Sequence, residues 1–438
     1  MKRIYSILFM LAAVFMVGCS SEVPGPGTEG EEMVYLSADI RGDLTVKADD
    51  LLENTGETII NNLTMLVFSG DDLKGSNRVE RGDKATIDSI GGVVVPVGTY
   101  DILLLANTKT DIRDIVKEKG LAGLDREHIG DILDQEASNL LMVSEFYKGV
   151  ALQANPGARL TYNYLKDNKS VAKTEEAGYK YQPEEKVLLT RQVARIELES
   201  ITALFDGGQW AGAKFRLDSV FMVNMRPGTL LTPGTNGEYE WIQTIAEDID
   251  FNSELFYRGG PASYTKDMHY IYPTATVSDE TNAKFLKDYL ADKIVIDDKV
   301  KYEFGADGKA PMFSCYAFEN HTVYSSSFDK ETGTLTVNKS GDTRMILVGE
   351  IELANGRTEL EDGTKLGKTY FQIPIKGTVT GGSGATHDSV YRNWVYKINV
   401  NITGLGSDGP DLKDHYVAIQ PVITVENWKY VKQVETDE

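Results

Sequence analysis

Apolar and polar side chains alternate with a period of two along much of the chain, and this alternation limits the fold more than any other feature. The clearest run is 394–402, in which Tyr396, Ile398, Val400 and Ile402 fall on one face of an extended strand. One apolar and one polar face are typical of antiparallel sheets that cover a core and face water. Two such sheets pack face to face in a β-sandwich. The sequence therefore predicts a mainly β protein built of antiparallel β-sandwiches.

Other parts of the chain carry related signals. Further alternating or short apolar runs that predict strands lie at 34–40, 63–68, 92–97, 100–106, 140–143, 186–190, 193–201, 215–224, 312–319, 345–352, 370–375 and 417–425. Between residues 111 and 143 apolar residues recur at helical spacing, so we expect one or two short helices there. Residues 155–185 are rich in Asn, Gly, Lys and Glu, which favours loops.

The length of the chain indicates more than one domain. A chain of 438 residues is long for a single domain, and two domains of roughly 150–250 residues each are expected. We place an N-terminal domain, with the short helices inserted in it, at 48–187. A C-terminal domain follows at 188–438, and the two join near residues 186–192.

The first 19 residues have the organisation of a bacterial lipoprotein signal peptide. Lys2 and Arg3 precede an apolar stretch at 4–17, which has the length of a signal-peptide core and is short for a membrane span. Gly18 and Cys19 follow in a pattern that resembles the lipobox, where a small residue precedes the cysteine that takes lipid. Several acyl chains on one residue, palmitate among them, give stable anchoring. The alternative is an uncleaved membrane helix, but a polar Pro/Gly-rich tether follows at once and favours the lipoprotein.

The acidic composition and the cysteine count narrow the possible partners. The net charge is −21, and loss of Lys2 and Arg3 with the signal makes it −23. Such a surface repels nucleic acid and anionic lipid headgroups, so no nucleic-acid partner is expected. Cys19 and Cys315 are the only cysteines. Once Cys19 carries lipid, no intramolecular disulfide can form, and we expect Cys315 to be a buried core thiol.

The residue pattern gives no catalytic, cofactor or metal site. The five histidines are scattered, without the i, i+4 or paired-cysteine spacing that a zinc site needs. Residues 404–409 match GxGxxG behind a strand, but Pro410 follows and no helix is predicted to begin there. The backbone amides that would bind phosphate are therefore not expected. The sequence indicates a chain that is not an enzyme and needs no cofactor.

Seven short segments in a fixed order resemble a known family. They are LVFSGD at 66–71, LLLANT at 103–108, NLLM at 139–142, TRQVARI at 190–196, YAFEN at 316–320, YRNWVYKI at 391–398 and VENW at 425–428. Each segment is weak alone. In this order and behind a lipobox they resemble the fimbrillins of Bacteroidales, the FimA-like major fimbrial subunits of type V pili.

This resemblance implies a domain type and a route of assembly. It implies two transthyretin-like β-sandwich domains and polymerisation by donor-strand exchange into a fimbrium that supports cell adhesion. The lipoprotein precursor is expected at the cell outer membrane, where a trypsin-like protease cuts behind the first strand and removes lipid and strand together. The implied partners are identical subunits, minor anchor and tip subunits, that protease and, before maturation, the outer membrane. The mature protein is then part of a cell-surface fimbrium.

Residues 20–47 would be the tether, first strand and propeptide of such a precursor. Within them Val34, Leu36, Ala38 and Ile40 share one face, and we predict that they form the strand that fills the groove.

The polar segment 41–58 is interpreted as an exposed loop with two candidate cleavage sites. By position, Lys47-Ala48 matches the Arg-Ala that is usual in the family. By chemistry, Arg41-Gly42 suits an arginine-specific enzyme better. Both cations can also be ordinary loop residues.

The C-terminal tail, about 411–438, is the candidate donor. Its apolar positions are Val417, Ile419, Ile423, Val425 and Trp428. Pro421 interrupts them and cannot donate to a β-ladder, which suits a sheet edge or a kink. The alternative is that this segment is the last strand of its own sandwich.

These features predict a structural stalk subunit of a fimbrium, with two alternatives. A tip or anchor subunit of the same class is the first, since a tip needs no donor tail and an anchor keeps its lipid. A surface glycan-binding lipoprotein is the second, and it would present an exposed aromatic platform. The four tryptophans are dispersed along the sequence, so their positions neither favour nor exclude such a platform. They are Trp210, Trp241, Trp394 and Trp428.

The lipobox gives a first testable prediction. In a bacterial host that processes lipoproteins, Cys19→Ala should abolish metabolic labelling by a clickable palmitate analogue, because the thiol that takes lipid is lost. Cys315→Ala is the matched control and should be labelled like the wild type. Undiminished labelling of the Cys19→Ala variant would contradict the lipoprotein assignment.

Overall fold

The structure is a computed structural model that describes most of the chain between residues 32 and 427. The described residues are 32–42, 56–124, 126–223, 225, 228–229, 231–233, 239–240, 294–304, 313–320, 326–329, 334–337, 343–380, 386–407 and 418–427.

Strands dominate this part of the chain. They are β1 (Met33–Gly42), β2 (Asn62–Ser69), β3 (Asp72–Glu80), β4 (Ser89–Pro96), β5 (Gly98–Ala106), β6 (Met142–Val143), β7 (Tyr147–Leu152), β8 (Thr161–Leu165), β9 (Val171–Thr174), β10 (Val187–Arg191), β11 (Val193–Ala203), β12 (Lys214–Val223), β13 (Thr232–Pro233), β14 (Tyr239–Glu240), β15 (Ile294–Asp297), β16 (Lys301–Glu303), β17 (Phe313–Phe318), β18 (Ser326–Asp329), β19 (Thr334–Val337), β20 (Arg344–Glu352), β21 (Lys368–Pro374), β22 (Gly377–Val379), β23 (Thr386–His387), β24 (Trp394–Ile402) and β25 (Ile419–Asn427). The helices are α1 (Arg113–Lys119), α2 (Arg126–Ile129) and single 3₁₀ turns at Gly120–Gly123, Ile132–Asp134, Pro183–Glu185 and Gly208–Trp210.

The first ten strands form one sheet. Its order is β3-β2-β5-β6-β10-β1-β8-β9, with β4 also paired to β1 and β7 also paired to β5. β1 thus has three partners, one antiparallel (β4) and two parallel (β8 and β10). The amino-terminal strand of the described chain lies in the interior of this sheet.

Strand β2 shows why helices lie against this sheet. Leu63 and Val67 face the main core, whereas Phe68 packs in a second buried cluster with Ile112 and Val116 from the start of α1. Both faces of β2 are therefore covered. For this reason the sequence of β2 is a continuous apolar run and does not alternate.

The carboxyl-terminal half contains two larger sheets. One has the order β16-β11-β24-β25-β22-β23, with β17 also on β11, and the other has the order β15-β12-β20-β21. Phe215 of β12 and Phe371 of β21 make an edge-to-face contact at 5.6 Å between ring centroids. They share one buried cluster with Ile196 of β11 and Ile398 of β24, so side chains from both sheets fill the same core.

The predictions of a mainly β fold and of short helices within 111–143 are confirmed, but two details of the expected fold are wrong. The sheets are mixed, because β1–β8, β1–β10, β11–β24 and β22–β25 are parallel pairs. Parallel partners need a long connection instead of a hairpin, and the alternation of one strand does not report the direction of its neighbour. The 155–185 segment, expected to be loops, contains β8 and β9.

The change from one sheet to the next falls at Gln192. β10 ends at Arg191 in the first sheet and β11 begins at Val193 in the second. β10 therefore crosses the predicted boundary at 187/188 and belongs with the amino-terminal strands. The division into two domains remains a prediction.

Candidate assembly interface

Four apolar side chains of β1 lie in the core. Val34 and Leu36 have no exposed surface, and Ala38 and Ile40 are 1% and 5% exposed. These are the residues that alternation places on one face of the first strand. The structure brings all four together in one buried cluster, and their groove-filling role in assembly remains a prediction.

Both edges of β1 are paired. Along one edge its residues pair antiparallel with β4 from Met33 to Asp39. Along the other edge it pairs with β8 over 34–37 and then with β10 over 40–42. Removal of β1 would expose backbone groups on both sides of the vacated slot, which is the kind of site that accepts an added strand. We call this slot, with its side-chain positions 34, 36, 38 and 40, the first-strand groove.

Aromatic side chains cover the outer face of β1. The rings of Tyr35 and Tyr162 lie 5.3 Å apart, and the Tyr181 hydroxyl donates to the Ser37 carbonyl at 3.2 Å. Tyr181 also makes an edge-to-face contact with Tyr179 at 5.1 Å between centroids. The segment between β9 and β10 thus closes over the strand.

Asp39 is an acidic residue in this covered strand. Burial raises the pKa of its carboxyl group, Lys186 opposes that shift and Asp88 adds to it. A raised pKa means that burial disfavours the charged form. The free-energy cost of burying the charged Asp39 carboxylate is therefore present at neutral pH. It is lost as the pH falls through the pKa of Asp39 and the group is protonated.

A glycine bulge lies opposite the middle of β1. The register with β4 shifts between Leu36 and Ala38, and Gly92 takes a φ of +80° at this point. Such a backbone conformation suits glycine. A Cβ on neighbouring Gly91 would lie 2.8 Å from the Ser37 Oγ, so glycine at 91 leaves the space that the Ser37 side chain uses.

The two candidate cleavage sites differ in their relation to β1. Arg41 and Gly42 were expected in a loop, and this is wrong, because their backbones pair with Leu188 and Leu189 of β10. The strand runs past the last inward residue because β10 offers a partner there. Lys47 and Ala48 lie outside the described residues, as does Cys19.

The tail forms a strand of its own sheet in the isolated chain. β25 pairs antiparallel with β24 along 419–427 and parallel with β22 at Thr424 and Val425. This is the alternative that the sequence left open for the tail. Of the predicted donor residues, Val417 and Trp428 lie outside the described residues.

The tail is buried less completely than the first strand. Val425 is fully buried and Ile423 is 9% exposed, but Ile419 is only half-buried. Pro421 is exposed, and the neighbouring Val422 is 58% exposed. Side-chain burial of β25 is therefore most complete in its second half, while Ile419 packs only partly against the core.

Gly377 of β22 permits the close approach that holds this second half. A Cβ at Gly377 would lie 2.5 Å from the Ile423 carbonyl oxygen and 2.8 Å from the Ile423 Cγ2 atom. Nearby, the Thr380 amide donates to the Val425 carbonyl at 2.9 Å.

A buried polar network joins the two halves of the chain. Arg392 pairs with Glu319 through two hydrogen bonds, one of them at 2.9 Å between Nε and Oε2, and donates to the Gln192 side chain. Its side chain is 11% exposed and that of Glu319 is 4% exposed. The backbone N–H of Gln192 in turn donates to the Leu141 carbonyl at 2.9 Å.

Glu57 makes a second connection across the same junction. Its carboxylate accepts hydrogen bonds from Arg195 at 2.6 Å and from the Tyr316 hydroxyl at 2.5 Å, and its carbonyl accepts one from Arg191 at 3.2 Å. Burial, with the charge of Glu57 beside it, raises the pKa of Tyr316. Glu57 lies near the end of the 41–58 segment that the sequence predicts to be exposed, but it is only 5% exposed, and its bonds fix the chain there to the second sheet.

The sequence predicts a junction near residues 186–192 but does not identify the polar contacts that hold it, although their signal was present. TRQVARI, YAFEN and YRNWVYKI supply Gln192, Glu319 and Arg392, and NLLM supplies Leu141. These four segments, which carry the family resemblance, meet in one place in the fold.

Cys315 lies in the protein core. Cys315 is 3% exposed, and burial raises its thiol pKa, as expected of a core cysteine. Within the described part of the chain, no group of three or more His, Cys, Asp and Glu side chains could hold a metal ion. In that same part no helix combines the length and hydrophobicity needed to cross a bilayer.

Comparison with known proteins bears on the first sheet most directly. Residues 35–190 match the profile of a family described as major fimbrial subunit protein (FimA). This match begins in β1 and ends in β10, so it spans the sheet that holds the first-strand groove. Over this segment, about a third of the chain, the protein is similar to the FimA-like family of fimbrial subunits.

Further similar proteins come from Parabacteroides distasonis. A protein described as a fimbrium tip subunit, Fim1C, is 26% identical over 287 residues, which cover 62% of this chain and 71% of that protein. Two crystal structures of proteins described as cell adhesion proteins share the fold. One has a TM-score of 0.58 at 19% identity over 91% of this chain and 100% of that chain. The other has a TM-score of 0.53 at 20% identity over 91% and 98%.

The aromatic platform that a glycan-binding alternative would need can be checked at two tryptophans of this chain. Trp210 stacks on Phe205 at 6.0 Å, and Trp394 meets His387 edge to face at 4.5 Å. Both are half-buried parts of local packing. Trp241 and Trp428 lie outside the described residues.

The close approach at Gly377 gives the testable prediction of this section. Gly377→Ala should loosen β25 at an overpacking cost of about 1–3 kcal/mol, which is roughly 5- to 150-fold faster amide hydrogen exchange in 420–426. Gly367→Ala is the matched control, because no atom lies within 4 Å of a Cβ there. Mass spectrometry of hydrogen exchange measures both variants. Equal exchange of 420–426 in the two would show that Gly377 does not hold the tail.

Proposed function

We propose that this protein is a fimbrial subunit, a structural stalk subunit that polymerises by donor-strand exchange. The observation that carries the proposal is β1, a strand at the amino end of the described chain that is paired on both edges and buries four apolar side chains. A strand in this position can be cut from the chain and replaced by a strand from a neighbouring subunit. The protein then acts as a building block and not as an enzyme.

Export as a lipoprotein comes first in this account. Cys19 takes lipid and holds the precursor at the outer membrane. Because several acyl chains anchor stably, the subunit stays at the membrane until the segment that carries the lipid is removed.

A trypsin-like protease then cuts behind β1, at Lys47-Ala48. The pairing of Arg41 and Gly42 with β10 supports this choice, because a protease needs its substrate backbone free of other pairing. Cleavage at Lys47 also leaves Glu57 in place, with its bonds to Arg195 and Tyr316. The new amino terminus is then close in sequence to an anchored residue.

The energetics of β1 support a precursor that stays monomeric until it is cut. Burial of Val34, Leu36 and Ile40 contributes about 1.5–3 kcal/mol for each side chain. Backbone ordering costs ~1–2 kcal/mol per residue, so main-chain pairing along both edges must contribute as well. While the strand is covalently attached, its high effective concentration excludes a competing strand from another chain. Cleavage removes that advantage.

The tail of the next subunit is the donor in this account. Val417, Ile419, Ile423, Val425 and Trp428 supply its apolar side chains. The incomplete burial of β25 in its own sheet supports this role, since Pro421 and Val422 are exposed there. Minor anchor and tip subunits would end the filament, which supports cell adhesion.

A tip subunit is the second candidate, and one observation favours it. The P. distasonis relative that matches 62% of this chain is described as a fimbrium tip subunit. A tip accepts a donor strand but donates none. The two candidates therefore differ in the use of the tail and share the first-strand groove.

Brief trypsin treatment of the purified precursor tests the proposal. Loss of the amino-terminal segment should be followed by oligomers and filaments, seen by size-exclusion chromatography and negative-stain electron microscopy. A chain truncated after Pro410 should be cut equally well but remain monomeric, and Lys47→Gln should resist the cut where Arg41→Gln does not.

Three outcomes are distinct. If the processed full chain never assembles and behaves like the truncated chain, donor-strand exchange between copies is wrong. If it stays monomeric but binds a synthetic peptide of residues 411–438, the tip candidate is favoured. If the truncated chain assembles as well as the full chain, the tail is not the donor.

A further inference from the structure

We infer that the tail enters the first-strand groove of a second copy with Pro421 in the position of Ala38. This inference rests on the proposed strand exchange and adds to it the register in which the two segments match. Two independent observations carry it: the spacing of side-chain types in β1 and the tail, and the different burial of the two strands.

The inward positions of the two segments have the same order of side-chain types. In β1 they are Val34, Leu36, Ala38 and Ile40, which is aliphatic, aliphatic, small and aliphatic. In the tail they are Val417, Ile419, Pro421, Ile423 and Val425. The tail is symmetric about Pro421, so it matches β1 when read in either direction. In both directions Pro421 falls on the position of Ala38.

The position of Ala38 is the narrow one in the groove. Ala38 is 1% exposed between Leu36 and Ile40, so a methyl group fills its site. A proline ring closes back onto its own backbone nitrogen and extends less far from the strand than a branched aliphatic side chain. A shift of the tail by two residues in either direction would place an isoleucine against the small site.

The backbone near Ala38 suits a residue without an N–H group. The register of β1 with β4 breaks between Leu36 and Ala38, at the bulge of Gly91 and Gly92. Ladder pairing is locally disrupted at a bulge, and proline in a sheet is confined to edges and bulges. Pro421 therefore meets an irregular part of the groove edge instead of a regular one.

The outward positions also favour the exchange. Beside Pro421, Gln420 and Val422 would take the sites of Ser37 and Asp39, in an order set by the strand direction. Neither carries a charge, whereas Asp39 is a carboxylate whose burial is unfavourable. Val422, 58% exposed in its own sheet, would gain cover in either site.

Disulfide mapping tests the register. Asp39 pairs directly with Ser89 of β4, and facing residues on neighbouring strands have Cα atoms about 4.5–5.5 Å apart, within the range of a disulfide. Precursor variants carry Ser89→Cys with Val422→Cys, Gln420→Cys or Thr424→Cys, in a Cys19→Ala background. Each is processed with trypsin, assembled under reducing conditions, oxidised and run on a non-reducing gel.

The register predicts a ladder of cross-linked subunits with Val422→Cys if the tail runs in the direction of β1, or with Gln420→Cys if it runs in the opposite direction. Thr424→Cys is the off-register control and should not cross-link. Filaments that cross-link only through Thr424→Cys, or through none of the three, would overturn the register while strand exchange stands. Absence of any assembly, in variants and wild type alike, would instead count against the proposed function.

Substitution of Pro421 gives an independent readout. Because Pro421 is exposed in its own sheet, Pro421→Phe should leave unfolding of the uncut precursor unchanged. After processing, it should slow assembly at least tenfold, whereas Pro421→Ala should assemble like the wild type. Equal assembly rates for the phenylalanine and alanine variants would overturn the match of Pro421 with the Ala38 site.

Discussion

Backbone pairing of the first strand is the interaction on which the amino-terminal half depends. β1 connects β4 on one edge with β8 and then β10 on the other, and its inward side chains complete the core. Without an occupant in this slot, the sheet would have two unpaired edges and an open apolar groove, which is unstable in water. The groove must therefore always be filled, first by the chain's own strand and, in the proposed assembly, by another copy's tail.

The junction between the two halves gives this exchange a fixed frame. Glu57 is bonded to Arg195 and Tyr316 of the second sheet, and Arg392 to Glu319 and Gln192. Buried charged groups that are paired and hydrogen-bonded are costly to separate, since removal of one partner leaves the other uncompensated. The two halves are thus coupled at Glu57, shortly before β2, and at Gln192, where the second sheet begins. In a filament, this coupling would transmit a pulling force from the groove of one subunit to its own tail.

Much of this fold follows from the local pattern of apolar and polar residues. The sequence predictions that are wrong share one physical cause, which is pairing between distant segments. β24 was predicted within its observed bounds because its alternation reports one buried face. The polar β3 carries no apolar pattern and is a strand only because β2 pairs with it. In the same way, β8 pairs with β1, which lies more than a hundred residues earlier in the chain. The sequence predicts a loop at Arg41 for the same reason, because its partner Leu188 is distant in sequence. The inward residues of the first strand could be read from the sequence, whereas the contacts of Glu57 depend on how distant segments meet.

The identity of the first residue of the protein on intact cells tests the central claim most directly. Fimbriae are sheared from the surface, and the amino terminus of the subunit is determined by chemical sequencing or mass spectrometry. The account predicts Ala48, because β1 and the lipid leave together before assembly. A lipid-modified Cys19, or any terminus that precedes Met33, in the assembled protein would contradict it, since the first strand would still occupy its own groove.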